Sequence, residues 1–473
     1  MIVMKFGGTS VEDAGAVRRL IEIVKQRLSQ QPVVVCSALA KVTDALLAAA
    51  DKAADGNENA ALDVLERLRL RHTATARDLL ADPHTAEARL SELFTELGSL
   101  LLRLCELRQL SPRISDLVVS FGERLSSELV TAALQSSRID SVLVDARTCI
   151  VADDRFTCAV PSVQATNERV RAQLIPLLWS QRVPVLGGFI AATANGETTT
   201  LGRGGSDLTA ALVGAALDAR RVEIWTDVNG ICSTDPRLYP GARSIRNMSF
   251  TEAAELALRG AKVLHPATLI PAMEKSIPVY VLNSRNPSHP GTRIWVRSDD
   301  PGSVKGIAVK RGITLVEASA GPAFRPSGFA AELLDRLEAN GCVPDLACIS
   351  GGRLSIAVDN KHAISQLREH FRERVTITSG NRKAMISLVA DDVRRISGLP
   401  AQVFATLQGI DVWLASPGAS QRSFSLVVPE DDVPEAIHRL HRLLLDEPHC
   451  PSAFPLTAQH KPGMVEDVEI VNV

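Results

Sequence analysis

Residues 2–13 read IVMKFGGTSVED. A short apolar strand, Ile2–Phe6, runs into Gly7 and Gly8 and then into two hydroxyl residues. From Val11 onward the apolar spacing changes. Val11, Ala14, Val17, Leu20, Ile21, Val24 and Leu28 recur at helical intervals. Strand, glycine turn and helix in that order form the opening unit of an α/β fold. Glycines at such a turn let backbone N–H groups approach an anion, and the helix start adds a favourable dipole. Lys5 supplies a point charge at the edge of that nest. Taken alone, the stretch is better explained as a tight turn. It is not a Walker A loop, which needs G-x-x-x-x-G-K-[ST].

The same theme repeats through residues 1–295. PVVVCSA (32–38), SVLVDA (141–146), PVLGGFI (184–190), VEIWTD (222–227) and IPVYVLN (277–283) are strand candidates, with helical stretches such as SDLTAALVGAALDA (206–219) between them. Near-continuous apolar strands alternating with helices argue for a mainly parallel sheet covered on both faces. Residues 45–112, rich in Ala, Leu, Glu and Arg, read as a helical insertion. The stretch 286–303, rich in Pro, Gly, Ser and Asp, reads as a linker or domain edge. Beyond it the chain repeats itself. A helix opening at Ser327-Gly328-Phe329 and stopping at Asn340-Gly341 is echoed by one opening at Ser397-Gly398-Leu399 and stopping near Gly409. Each is followed by an apolar stretch, an alternating strand and a second amphipathic helix. Two β-α-β-β-α-β units fit this pattern.

Composition narrows the function classes. A chain of 473 residues expects several domains. A formal net charge of -2 leaves no broad basic field for nucleic acid or an anionic membrane. No apolar run is long enough for a membrane span, and the N-terminus lacks the features of a secretory signal. The 8 cysteines are scattered without a C-x-x-C pair, which suits reduced thiols in the cytoplasm. No protein metal site is expected, since Cys342 and Cys348 have no further ligands near them.

A second glycine loop changes the weight of the first. Residues 198–209 read TTTLGRGGSDLT, again a glycine turn entering a helix, here with Arg203, Ser206 and Asp207. Two such turns at strand ends of one sheet grip a polyphosphate from both sides. A buried arginine beside them forks onto a carboxylate.

Together, MKFGGTSV, VVVCSALAKVTD, FGERLS, TTTLGRGGSD, WTDVNGICSTDPR and GAKVLHPATL resemble the aspartate kinase family in the order expected of it, over roughly residues 1–455. The resemblance implies an α/β amino acid kinase fold, a mainly parallel sheet between helical layers, at 1–295. Two α+β ferredoxin-like ACT domains follow at 305–380 and 381–455, and 456–473 is a tail able to add a strand to an ACT sheet. The implied reaction is ATP-dependent phosphorylation of the L-aspartate side-chain carboxylate, the first step of lysine, threonine and methionine biosynthesis. ATP and Mg2+ are the implied cofactors, with the metal held mainly by phosphate oxygens and water.

Residue by residue, the resemblance makes Lys5 and Asp207 catalytic. Lys5 neutralises the phosphoryl group in transfer, and Asp207 organises the site. Substrate binding falls on Ser37, Thr43, Glu123, Phe189, Arg203, Gly204, Gly205 and Ser206, with Glu123 opposite the α-ammonium and Arg203 on a carboxylate. ATP binding falls on Lys5, Phe6, Gly7, Gly8, Thr226, Asp227, Cys232, Arg237, Lys262 and Val263. Cys232 stands where many relatives carry tyrosine. The lysine-responsive, monofunctional type places effector contacts at Phe329, Ala330, Asp345 and Ser350, with Asp345 meeting the ligand's cationic end. GPAFRPSG (321–328) and Gly351 depart from that pattern. A homodimer or larger homo-oligomer through the ACT domains is implied. The alternatives are another amino acid kinase and a catalytically impaired amino-acid sensor.

Overall fold

The computed structural model describes the backbone of residues 1–446 apart from 262–263, 265, 299–301, 321–325, 360, 372–374 and 418–419. Its centre is an 8-stranded sheet. Ile2–Phe6 lies in the middle, parallel to Pro32–Cys36 on one side and to Val222–Thr226 on the other. Val183–Gly187 and Ser141–Val144 extend the first side, also in parallel. Val279–Asn283 extends the second, and Thr292–Trp295 joins it antiparallel.

Every residue of Ile2–Phe6, Pro32–Cys36 and Val183–Gly187 is buried, as strands covered on both faces must be. Alternation sorts their side chains. Ile2, Met4 and Phe6 pack with Phe121 and Leu125 of helix Pro112–Ser136. Val3 and Val35 pack with Ala210 and Val213 of helix Gly205–Ala216. Lys5 has the parity of Val3, so its side chain is directed toward the second helix.

The helical insertion consists of Val42–Ala54, Glu58–Leu79 and His84–Leu107, packed on Pro112–Ser136 through Leu46, Leu65, Phe94 and Leu97. The stretch 286–303 is more than a linker. Thr292–Trp295 inside it is a strand of the main sheet, between Val279–Asn283 and the edge strand Asn247–Ser249, with Thr292 and Ile294 buried at period 2.

The C-terminal part forms one 6-stranded antiparallel sheet. Two long strands, Val304–Ala320 and Val375–Ala390, run through it side by side. Their halves serve different cores. Val316 and Ala318 pack with Phe329, Leu333 and Phe371, whereas Val304 and Ile307 pack with Ile386, Val403, Leu426 and Ile437. Strand Val375–Ala390 therefore crosses the expected boundary at 380. The second unit takes one strand from residues before the first. A register shift between Lys310 and Ile313 marks the change of core.

The second unit also grips the catalytic part. Ser233 Oγ lies 2.7 Å from Nε2 of the fully buried His441. A carboxylate can only accept, so His441 Nδ1 donates to Asp446 Oδ2 at 3.0 Å. Tyr239 O–H donates to the same Asp446 oxygen at 2.7 Å. Burial acts to raise the Asp446 pKa, but these donors outweigh it and hold the carboxyl below its ordinary range. His441→Ala strips both Ser233 and Asp446 of a partner and is expected to cost about 2 kcal/mol. Urea denaturation reads that loss, and limited proteolysis reads loosening of residues 228–246.

Candidate active site

The carboxyl ends of the parallel strands converge on one cavity of about 390 Å³. Ligands of open parallel α/β sheets bind at this edge. Lys5 is the penultimate residue of the central strand and is only 9% exposed. Its Nζ lies 2.5 Å from Asp207 Oδ1, an ion pair without the angles of a hydrogen bond. Asp207 stands in the first turn of helix Gly205–Ala216, whose N-terminus favours negative charge. Gly204 starts that turn at φ 76°, a conformation that disfavours any side chain. Gly188 passes so close to the loop that a Cβ there would sit 2.7 Å from the Ser206 Cβ.

Glu123 enters from the other layer. Helix Pro112–Ser136 begins with Ser111 capping the Ile114 N–H and Pro112 in its first turn, which fixes where the helix starts. Glu123 Oε1 accepts from the Ala38 N–H at 3.1 Å, while Oε2 is buried without a partner among the described residues. Burial pushes its carboxyl up to about 8, against the pull of the Ala38 N–H and the Lys5 ammonium. A buried orphan carboxylate oxygen facing a cavity is a place for a cation.

Ser37, Thr43, Phe189, Arg203, Gly204, Gly205 and Ser206 line the same cavity. The structure corrects one expectation. Arg203 is exposed rather than buried, because its loop stands outside the sheet edge at the cavity mouth. No ion pair occupies it among the described residues. Phe189 sits at φ 64°, held by its N–H to Thr209 Oγ1 at 3.0 Å.

The expected ATP contacts are divided. Gly8 lines the cavity with Lys5, and Gly7 donates to the Trp225 carbonyl. The Phe6 ring instead stacks on Trp225 inside the core, leaving only its backbone near the turn. Thr226 and Asp227 end the neighbouring strand, with Thr226 Oγ1 donating to Asp227 at 3.3 Å. Cys232 and Arg237 lie farther along, and Arg237 is forked onto Asp235. None of Thr226, Asp227, Cys232 and Arg237 lines the cavity. Lys262 and Val263 lie outside the described residues, as does the tail 456–473.

Three neighbours were not singled out from sequence. Lys41 lines the cavity at φ 67°. Ser10 and Ser284 hydrogen-bond each other at 2.8 Å and the Trp225 and Thr226 carbonyls, tying the first glycine turn to the Thr226 edge. Lys41 stood in the quoted motif ALAKVTD. The serines carried no local signal.

In the C-terminal sheet, Phe329 is a core residue, 1% exposed and edge-on to Phe371. Ala330 is buried and Ser350 exposed. Asp345 is already engaged: both its oxygens lie 2.7 Å from Lys310 Nζ, which also reaches Asp359 at 2.9 Å.

Residues 1–283 match the model of the amino acid kinase family, and residues 386–444 match that of the ACT domain. The chain is 33% identical to the lysine-sensitive aspartokinase 3 of Escherichia coli over 456 residues, 94% of this chain and 99% of that protein. The chain belongs to the aspartokinase family. It is also 35% identical to a chloroplastic aspartokinase 3 of Arabidopsis thaliana, over 95% of this chain and 82% of the relative. A crystal structure of E. coli aspartokinase III with aspartate and ADP superposes with a TM-score of 0.81 at 32% identity, covering 94% of this chain and 100% of that one. The same enzyme with lysine and aspartate gives 0.80 at the same identity, over 94% and 99%. The chain is accordingly a kinase of aspartate, an amino acid kinase domain followed by an ACT region. No helix among the described residues is long and apolar enough to cross a membrane.

Proposed function

We propose that the chain transfers the γ-phosphoryl group of ATP to the side-chain carboxylate of L-aspartate, giving 4-phospho-L-aspartate. The observation that carries this reading is the set of complementary charges around one cavity. The Glu123 oxygen without a partner among the described residues suits the α-ammonium, Arg203, in no ion pair among them, suits a carboxylate, and the Lys5–Asp207 pair lines the same cavity with Gly8 of the first glycine turn. Phosphoryl transfer asks mainly for alignment and charge neutralisation. The substrate carboxylate is already ionised near neutral pH, so no general base is required. Asp207 holds the Lys5 ammonium in place. Lys5 meets the negative charge of the phosphoryl group. Mg2+, when bound with ATP, would be held by phosphate oxygens and water and would neutralise phosphate charge.

A coupled assay of ADP release tests the reading. L-aspartate is expected to drive turnover, and succinate, which lacks the ammonium, is expected to be a poor substrate. ADP release that does not respond to aspartate would support the sensor alternative. The setting is cytoplasmic, in keeping with seven described cysteines that are all free.

Regulation by an amino acid such as L-lysine is part of the proposal, resting on the ACT match and the lysine-sensitive relative. An incoming ammonium must displace Lys310 from Asp345, so inhibition requires that ion pair to open. Partnering by a second copy is supported by edge strand Leu346–Ser350, where Ile349 is 56% exposed. Activity titrated with lysine, threonine and methionine separates the effectors. A rate unchanged at millimolar lysine removes lysine from the list.

A further inference from the structure

We infer that Asp116 is a positioning residue that sets the spacing between Glu123 and the loop bearing Arg203 and Asp207, and so the length of amino acid the site accepts. The inference rests on the reading of the cavity as the aspartate site. Asp116 lies on helix Pro112–Ser136 about two turns before Glu123, on the same side of the helix. It is 1% exposed and touches no part of the cavity lining directly.

Its carboxylate gathers four donors from outside the helix. Oδ2 accepts from the Thr157 N–H at 2.8 Å, the Thr200 N–H at 2.9 Å and the Thr199 hydroxyl at 3.1 Å. Oδ1 accepts from the Thr200 hydroxyl at 2.7 Å. Strand Thr198–Thr200 leads straight into the Gly202–Asp207 loop. Thr157 approaches the same loop. Its carbonyl lies 3.2 Å from where a Gly202 Cβ would stand. Thr157 is held at φ 73°, a costly conformation for a β-branched residue that persists only where its surroundings impose it. One buried carboxylate thus ties strand Thr198–Thr200 and the Thr157 backbone, both next to the loop, to the helix that carries Glu123.

The chemistry of the site makes that spacing matter. Glu123 takes the amino group of the substrate, and the loop carries Arg203 and the Asp207 partner of Lys5. The span from Glu123 to this loop gauges the distance from amino group to reacting carboxylate. A shift of about 1 Å between such groups costs up to two orders of magnitude in rate. One extra methylene is otherwise rejected by about 10- to 200-fold.

The test is steady-state kinetics of the full chain with L-aspartate, L-glutamate and ATP. Asp116→Ala is expected to raise KM for aspartate about tenfold or more, leave KM for ATP within about twofold, and raise the glutamate-to-aspartate ratio of kcat/KM about tenfold. Asp116→Asn should recover most of the discrimination. Its oxygen can accept at the Oδ2 position while its amide donates to the Thr200 hydroxyl. Thr200→Val removes one tie and leaves the carboxylate, so it reads the same ratio at smaller amplitude if Asp116→Ala fails to fold. A folded variant with both KM values raised together, or with an unchanged glutamate-to-aspartate ratio, would show a merely structural role and overturn the proposal. An unmodified chain without aspartate-dependent turnover overturns the functional reading, and this inference with it.

Discussion

Lys5→Ala is expected to lower kcat by about two to three orders of magnitude, the scale of losing one aimed charge at a transition state. KM for aspartate should change little, because Glu123 and Arg203 remain. Stability responds as well. Lys5 and Asp207 are 11% and 12% exposed at their side chains, so removing the ammonium strands a mostly buried anion. The cost is about 2 kcal/mol, less than for a dry pair because the cavity admits water. The double variant Lys5→Ala/Asp207→Asn separates the two effects. It removes the stranded charge, so urea denaturation should show stability regained while turnover stays low. Recovery of turnover together with stability would mean that Lys5 acts through the fold and not on the phosphoryl group.

Glu123→Gln is expected to raise KM for aspartate by about two orders of magnitude, the usual penalty for truncating a buried charge pair. Turnover with succinate should hardly change, since succinate brings no ammonium. The amide can keep the Ala38 bond at its oxygen. The pH dependence gives a second readout. Burial lifts the Glu123 carboxyl to about 8 in the empty site, well above its ordinary range. Below that pH the site must lose a proton to receive the ammonium. KM for aspartate should therefore fall by up to about tenfold per unit as pH rises toward 8, then level off. The folded empty chain holds the extra proton between the ordinary carboxylate pKa and about 8. Its stability consequently declines as pH rises through that window. Glu123→Gln should abolish both slopes. A KM profile equally steep in the variant would assign the titration to another group.

Much of the catalytic part was legible without coordinates. The period change after Phe6, the apolar strands and the two glycine turns are local features, set by side-chain alternation and by backbone freedom at Gly204. Six motifs in order carried the family and the cavity residues Lys5, Glu123, Arg203 and Asp207. The helical insertion was visible from composition and spacing. Where local reading failed, the reason was a very short element or a partner far away in the chain. Thr292–Trp295 hid among Pro- and Gly-rich residues because a strand of 4 residues carries little pattern of its own.

Sequence by itself determined the elements, their type and the chemical groups placed at the strand ends, because helix, strand and turn preferences act over a few residues. Only tertiary structure decided how those groups are electrically partnered. It left Glu123 Oε2 buried without a partner among the described residues, put Arg203 at an open mouth, and filled Asp345 with Lys310. It also joined residues separated by 84 positions through Asp116 and by 208 through Ser233 and His441. Such contacts depend on which surfaces are brought together when the apolar faces are buried, and no local window of the chain encodes them.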